Sequence, residues 1–143
     1  MTRDAGYTDG ERYERGMTVR REVLSDQHVD RAIAGTNDLT KDFQDFITRV
    51  AWGDIWSRPG LDRRSRSIAV LSTLIALGHH EELAMHFRAA IRNGLTVDEI
   101  REVILQGGLY AGIPAANTAF RIASEVFGSP DTAGGDETPG GSS

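Results

Sequence analysis

Between about residue 10 and residue 127, apolar side chains recur at every third or fourth position, which is the spacing of amphipathic helices. We find no alternating strand pattern bounded by turns and no internal repeat. The apolar stretches are separated by short breaks that contain glycine, proline or capping residues. The pattern predicts an all-α helical bundle of five to seven helices, about six. The predicted helices cover about 10–24, 27–34, 40–56, 62–77, 81–93, 96–112 and 114–127.

The predicted helix ends rest on local signals. Asp62 is a good N-cap for the fourth helix, and Gly78 ends it. Gly94 follows the fifth helix as a C′ glycine. The segment 96–99, Thr-Val-Asp-Glu, is a capping box that opens the sixth helix, and Pro114 suits the first turn of the last helix.

Two of the predicted helices have apolar surfaces that must pack against other elements. From 68 to 77 only Ser72 and Thr73 are polar, so this helix is expected in the middle of the bundle or shared with a neighbouring subunit. The third predicted helix has an apolar series at helical spacing. That series is Phe43, Phe46, Ile47, Val50 and Ile55.

Composition narrows the class of protein. With 143 residues, 39% hydrophobic and 26% charged, the chain is globular and long enough for one domain. Acidic residues outnumber basic ones 21 to 16, for a net charge of −5, so we expect no nucleic-acid partner. No apolar run of 18 residues is present, which predicts no membrane span, and 1–16 lacks the apolar core of a secretory signal. A cytoplasmic protein is therefore expected.

Two further features of composition matter. The chain has no cysteine, which excludes disulfides, thiol catalysis and thiolate metal sites. The segment 128–143 is rich in glycine, serine and proline, with no large apolar residue. We expect it to be a disordered tail following a folded domain over 1–127.

The first candidate site is the start of the fifth helix. If the helix begins one turn early, His79, Glu82 and His86 are spaced i, i+3, i+7 and lie within roughly a 60° arc beside the buried stripe. Two imidazoles and a carboxylate placed this way suit proton transfer. A solvated helix start with an internally bonded His86 is an equal alternative. The trio is only a weak signal for a metal, and we predict none.

The second candidate is the set of Arg63, Arg64 and Arg66 at the start of the fourth helix. Cations at a helix N-terminus oppose its dipole, so something should compensate them. From composition alone, pairing with Asp54 and Asp62 or plain solvation is favoured over an anion pocket.

The third candidate is the glycine-rich stretch 106–116. Gly107 and Gly108 favour tight helix packing. Gln106 and Tyr110 are spaced i, i+4 and could donate hydrogen bonds into a cleft. Trp52 and Trp56 share the same spacing and are interpreted as core or interface anchors.

These stretches together resemble the carboxymuconolactone decarboxylase family. The resemblance covers about residues 13–127. The matching segments are GMTVRREVL (16–24), HVDRA (28–32), DFQDFITRVAWGDIWSRPGLDRRSRS (42–67), IALGHHEELAMHFRAAIRNGLTVDEIREV (75–103) and YAGIPAANTAF (110–120).

The wider superfamily includes alkylhydroperoxidase D proteins, which carry CxxCxxxH on the corresponding helix. Here His79 and Glu82 stand at the two cysteine positions, His86 is the final histidine, and Ser67 replaces a glutamate of the preceding helix. The chain therefore cannot be a dithiol peroxidase.

The resemblance implies an alkylhydroperoxidase D-like helical fold, assembly as a homotrimer or homohexamer, and no cofactor. It implies decarboxylation of a small lactone dicarboxylate, 4-carboxymuconolactone, to 3-oxoadipate enol-lactone in protocatechuate breakdown by the β-ketoadipate pathway. A related lactone as substrate, or a non-catalytic oligomeric ligand-binding protein on the same fold, are the alternatives.

That chemistry gives the candidates expected roles. His86 is the first choice for the proton donor and His79 the second, with Glu82 orienting the imidazole. One of Arg63, Arg64 and Arg66 would hold a substrate carboxylate. Gln106 and Tyr110 would stabilise the developing oxyanion.

Overall fold

The computed structural model describes residues 7–128, and every element within that range is helical. It confirms the all-α prediction. The elements are α1 (Asp9–Leu24), α2 (Asp26–Ala34), α3 (Lys41–Ile47), a π-helix (Thr48–Trp56), α4 (Arg63–Leu77), α5 (His80–Arg92), α6 (Val97–Ala111) and α7 (Ile113–Phe127). The predicted tail 128–143 lies outside the described residues except for Gly128. None of the described helices is both long and apolar enough to cross a bilayer.

Local capping determines the helix ends where the sequence predicted them. The Asp62 carboxylate accepts a hydrogen bond from the Ser65 backbone N–H at 2.7 Å. Gly78 ends α4 in the left-handed conformation, with φ of 72°. Thr96 and Glu99 bond each other's backbone N–H groups as a capping box.

Two apolar cores lie on either side of α5. Leu83, Phe87 and Ala90 of α5 pack into a core with α4, α6 and α7. Ala89 belongs to a second core with α1, α2 and the π-helix. Helix α5 therefore joins the two halves of the domain, and His86 lies on it between residues of both cores.

The third predicted helix differs from expectation in type and in orientation. Its second half is a π-helix, in which hydrogen bonds join residues five apart rather than four. The side chains it buries include Thr48, Trp52 and Trp56. The expected apolar face was wrong, because Phe43 and Phe46 are 61% and 51% exposed. Trp52 and Trp56 are confirmed as core residues.

Glycines explain which face of the π-helix turns inward. A Cβ on Gly16 of α1 would lie 1.9 Å from the Thr48 carbonyl oxygen, and one on Gly53 would lie 2.5 Å from the Arg12 carbonyl oxygen. The two backbones thus touch directly, and α1 holds the Thr48, Trp52 and Trp56 side of the π-helix against itself. A second close approach joins α6 to α7, as predicted for the glycine pair. A Cβ on Gly108 would lie 2.6 Å from the Ala116 Cβ.

Helix α4 is not enclosed within the single chain. It buries Ser67, Leu71 and Ile75, whereas Ile68 and Leu77 are 38% and 63% exposed. The middle-of-the-bundle interpretation was therefore wrong for the chain alone. Its sharing with a neighbouring subunit stays a prediction.

Candidate functional site

Helix α5 begins later than the trio prediction required. The backbone N–H groups of Gly78 and His79 both donate to the Leu74 carbonyl, which terminates α4. His79 is consequently the N-cap of α5, with ψ of 80°, and does not continue the helical face. His79 and Glu82 are exposed, whereas His86 is mostly removed from solvent. The structure thus separates the trio into two exposed groups and one largely buried imidazole.

His86 packs flat against Trp56. The two rings are stacked, with centroids 6.2 Å apart and planes 13° apart. The imidazole Nδ1 is buried and has no hydrogen-bond partner among the described residues, so the internally bonded alternative was wrong. The pKa of His86 is lowered to about 4, chiefly by burial and also by His28, and Glu82 opposes both effects. His86 is therefore a neutral imidazole at pH 7.

Arg20 is a buried cation next to this region. Its side chain, on α1, is 5% exposed. Nη1 donates to the Thr48 Oγ1 at 3.2 Å and Nη2 to the Gln44 Oε1 at 3.0 Å, while Nε has no partner within residues 7–128. Both acceptors are neutral, and burial lowers the pKa of Arg20 without removing its proton.

His28 of α2 is a second partly buried imidazole in this region. Burial lowers the pKa of His28, and the charges of Arg31, Arg20 and Arg88 lower it further. His28 in turn acts on His86. These five residues of α1, α2 and α5 are called the cationic cluster below: Arg20, His28, Arg31, His86 and Arg88. Its fixed positive charge is carried by the three arginines, because the pKa of both histidines is lowered.

The arginines at the start of α4 have partners other than those expected. Arg63 forms an ion pair with Glu22 at 2.6 Å, and Arg64 bonds Glu99 and the Gly94 carbonyl. Arg66 donates to the carbonyls of Leu61 and Arg58, both at 3.0 Å. A substrate carboxylate would have to displace these contacts.

The expected pairing of those arginines with Asp54 and Asp62 was therefore wrong. Asp54 is bound by Arg12, and Asp62 caps α4. Hydrogen bonds from Arg64 and from the Thr96 backbone lower the pKa of Glu99 to about 2, which keeps that ion pair charged.

Gln106 and Tyr110 lie on the outer side of α6. Tyr110 is 83% exposed, and Gln106 is exposed as well. Within the single chain neither side chain enters a cleft, so their role as oxyanion donors stays a prediction that needs a neighbouring copy. No group of three potential metal-ligating side chains occurs among residues 7–128.

Sequence reasoning missed Arg20 and His28 as functional candidates, although both lie in the segments that carry the family resemblance. One signal could have found Arg20. It falls on the buried stripe of α1 with Gly16, Val19 and Val23, spaced i, i+3, i+4 and i+7. A charged residue in the middle of an apolar stripe indicates a buried charge, which is rare enough in proteins to suggest a functional role.

The neutral state of His86 makes stability depend on pH. In the unfolded chain the imidazole has a pKa near 6.5, against about 4 in the fold. Between these values the unfolded state binds a proton that the folded state does not. The stability that the neutral His86 contributes is therefore fully present above pH 6.5. We expect the free energy of unfolding to fall by up to about 3 kcal/mol as the pH drops from 6.5 to 4.

Urea unfolding at a series of pH values measures this dependence. His86→Gln should flatten the slope between pH 6.5 and 4, leaving the smaller contribution of His28, whereas the exposed His80→Gln should not change it. A His86→Gln variant with the full slope would show that His86 is not the group responsible. The carboxylates with lowered pKa, such as Glu99, act at lower pH.

The fold and the site define a helical protein without thiols. Its largely buried ionisable side chains include a histidine and an arginine that form no ion pair within the described chain. The chain belongs to the carboxymuconolactone decarboxylase family, whose model matches residues 41–125.

Relatives of known name support the assignment. The chain is 52% identical over 119 residues to the 4-carboxymuconolactone decarboxylase of Acinetobacter baylyi, covering 83% of this chain and 89% of the relative. It is 37% identical over 115 residues to the nitrosuccinic acid decarboxylase of Metarhizium robertsii, covering 80% of each protein. Both relatives are named as decarboxylases.

Proposed function

We propose that the protein decarboxylates 4-carboxymuconolactone to 3-oxoadipate enol-lactone and CO₂, within the protocatechuate branch of the β-ketoadipate pathway. The observation that carries the proposal is the 52% identity, over most of both chains, to a decarboxylase named for that substrate. The cationic cluster supports it, because the substrate is a dianion.

The substrate can absorb its own negative charge. Its departing carboxylate is on the ring carbon bonded to the ring oxygen, and a C=C bond conjugates that carbon to the lactone carbonyl. When the C–CO₂⁻ bond breaks, the electron pair moves through the double bond onto the carbonyl oxygen and forms a dienolate. A proton then adds to the ring carbon next to the carbonyl. We therefore propose a reaction without cofactor or metal.

We assign the proton transfer to His86, with Glu82 as the nearby carboxylate and His79 as the second candidate. In the free chain His86 is neutral, because burial and the charge of His28 disfavour the imidazolium. A bound dianion would offset those effects and raise the pKa of His86. On this proposal, substrate binding causes the imidazole of His86 to take up a proton. His86 then donates that proton to the ring carbon.

The remaining groups would act from the assembled protein. We propose a cytoplasmic homotrimer or homohexamer, in which a neighbouring copy covers the exposed apolar residues of α4 and α6. Leu77 and Leu109 are 63% and 69% exposed in the single chain. Gln106 and Tyr110 would then line a closed cleft as oxyanion donors. Arg63, Arg64 and Arg66 remain candidates to hold the second carboxylate.

One other substrate has specific support. The 37% identity to a nitrosuccinic acid decarboxylase favours, as the second candidate, the decarboxylation of a related acid on the same site. A non-catalytic ligand-binding role on the same fold is the third candidate, and it predicts lactone binding without release of CO₂.

Turnover by the purified full-length protein tests the proposal. We expect loss of 4-carboxymuconolactone absorbance with equimolar release of CO₂, and much slower release from nitrosuccinate at the same concentration. Binding of the lactone without release of CO₂ would contradict the proposed activity. Faster turnover of nitrosuccinate would favour the second candidate.

A further inference from the structure

The arginines of the cationic cluster form no ion pairs, in contrast to most of the arginines elsewhere in the described chain. Arginines on other surfaces form ion pairs with carboxylates, such as Arg12 with Asp54 and Arg121 with Glu125. Arg20, Arg31 and Arg88 form no ion pair among residues 7–128, and the charge of each of them lowers the pKa of His28. The chain carries more acidic than basic residues, so this local pattern is not caused by a shortage of carboxylates.

Two polar atoms inside the cluster are buried without a partner. They are the Nε of Arg20 and the Nδ1 of His86. Arg20 is 95% buried, and its two bonded nitrogens meet a hydroxyl and an amide rather than a counter-charge. A buried cation with unsatisfied donors is costly unless an anion offsets it.

Within residues 7–128, the cationic cluster has one acidic side chain acting on it. Glu82 is the acidic group that acts on His86, and it is exposed one turn earlier on α5. No carboxylate acts on Arg20 or His28 within the described part of the chain. His28 is half-buried and Arg31 and Arg88 are exposed, so the cluster runs from solvent toward the interior.

We propose that Arg20, His28 and His86 form a seat for one carboxylate of a small organic dianion, with Arg31 and Arg88 at its rim. The identification of that dianion with the substrate rests on the proposed function. The rim arginines draw the anion in, His28 and His86 contact it, and Arg20 supplies a fixed charge behind them. This seat adds a carboxylate anchor on α1, α2 and α5 that is separate from the α4 arginines, which already have partners.

The test uses the full-length protein with adipate as a non-reacting dicarboxylate probe. Binding is followed by the fluorescence of Trp52 and Trp56, the only tryptophans, one of which stacks on His86. We expect Arg31→Gln and Arg88→Gln each to raise the Kd for adipate and the KM for the lactone about three- to tenfold, with kcat within about twofold. We expect NMR titration to show the pKa of His86 rising when adipate is bound.

Arg121→Gln is the matched control, since it removes the same charge from an exposed i,i+4 pair on α7. It should leave the Kd and KM unchanged. Arg20→Gln should weaken adipate binding at least about tenfold, and Arg20→Lys, which keeps the charge, should weaken it less. Circular dichroism establishes that each variant is folded, and the rim variants keep the test decisive if a variant of buried Arg20 does not fold.

The outcomes separate this proposal from the proposed function. Adipate binding that depends on Arg31 and Arg88, in a protein that releases no CO₂, would retain the seat and reject the activity. Lactone turnover with rim variants equal to Arg121→Gln would retain the activity and overturn the seat. The seat is also overturned if the rim variants dissociate the oligomer and adipate does not bind, because acidic groups of a second copy would then be the occupant.

Discussion

Gly16→Ala is expected to destabilise the protein by about 3 kcal/mol or more. The added Cβ would lie 1.9 Å from the carbonyl oxygen of Thr48, so α1 and the π-helix must move apart. Alanine favours a helix by roughly 1 kcal/mol over glycine, which is too little to offset the separation of two packed backbones. The urea midpoint at constant m-value measures the loss.

Gly10→Ala provides the control on the same helix. The nearest atom to its added Cβ is the Thr8 Oγ1 at 3.8 Å, an ordinary contact. This variant should be neutral or up to about 1 kcal/mol more stable. Equal midpoints for the two variants would show that α1 and the π-helix separate at little cost, and would contradict the close-contact argument.

His86→Ala is expected to lower kcat at least about tenfold, the low end for loss of an acid catalyst. The reason is that His86 is a largely buried imidazole within the cationic cluster, whereas His79 and Glu82 are exposed. Steady-state turnover of 4-carboxymuconolactone, followed by ultraviolet absorbance, measures the effect. The pH profile of kcat should lose the limb that reports the imidazole.

His80→Ala is the matched control, because His80 is exposed at the first position of the same helix. It should turn over the lactone at the normal rate. A near-normal kcat in His86→Ala would place the proton donor elsewhere, and a large loss in His79→Ala alone would assign it to the second candidate.

The helix ends were predictable because they depend on neighbours within four residues. Asp62 caps α4 through the N–H of Ser65, and Thr96 with Glu99 forms the predicted capping box. Such contacts do not depend on the position of the rest of the chain, so they can be predicted from the local sequence alone.

The π-helix and its buried face were not predictable in this way. Helical periodicity assumes 3.6 residues per turn, and the apolar series from Phe43 to Ile55 satisfied it. The inward face is determined instead by the backbone contact of Gly16 and Gly53, which are far apart in sequence. A glycine signals that close approach is possible, but it does not identify its partner.

Of the site residues, only His86 was predictable, because its position on its own helix α5 was enough to identify it. The face of α5 and the family resemblance both pointed to His86. Arg20 and His28 become candidates only because α1, α2 and α5 pack together, and local sequence spacing does not predict that packing. The same holds for α4, where Glu22 and Glu99 from other helices decide what Arg63 and Arg64 contact.

The π-helix also restricts how this segment can change length. Gln44 and Thr48 hold Arg20 from one end of the α3–π segment, while Trp56 stacks on His86 from the other. If the π-helix is kept, deleting one residue between them would rotate everything beyond it by roughly a quarter of a turn around the helix axis, because a π-helix has more residues per turn than the 3.6 of an α-helix. The Arg20 hydrogen bonds and the stacking of Trp56 on His86 could not then both form, so we expect this segment to accept substitutions at its exposed positions but no insertion or deletion.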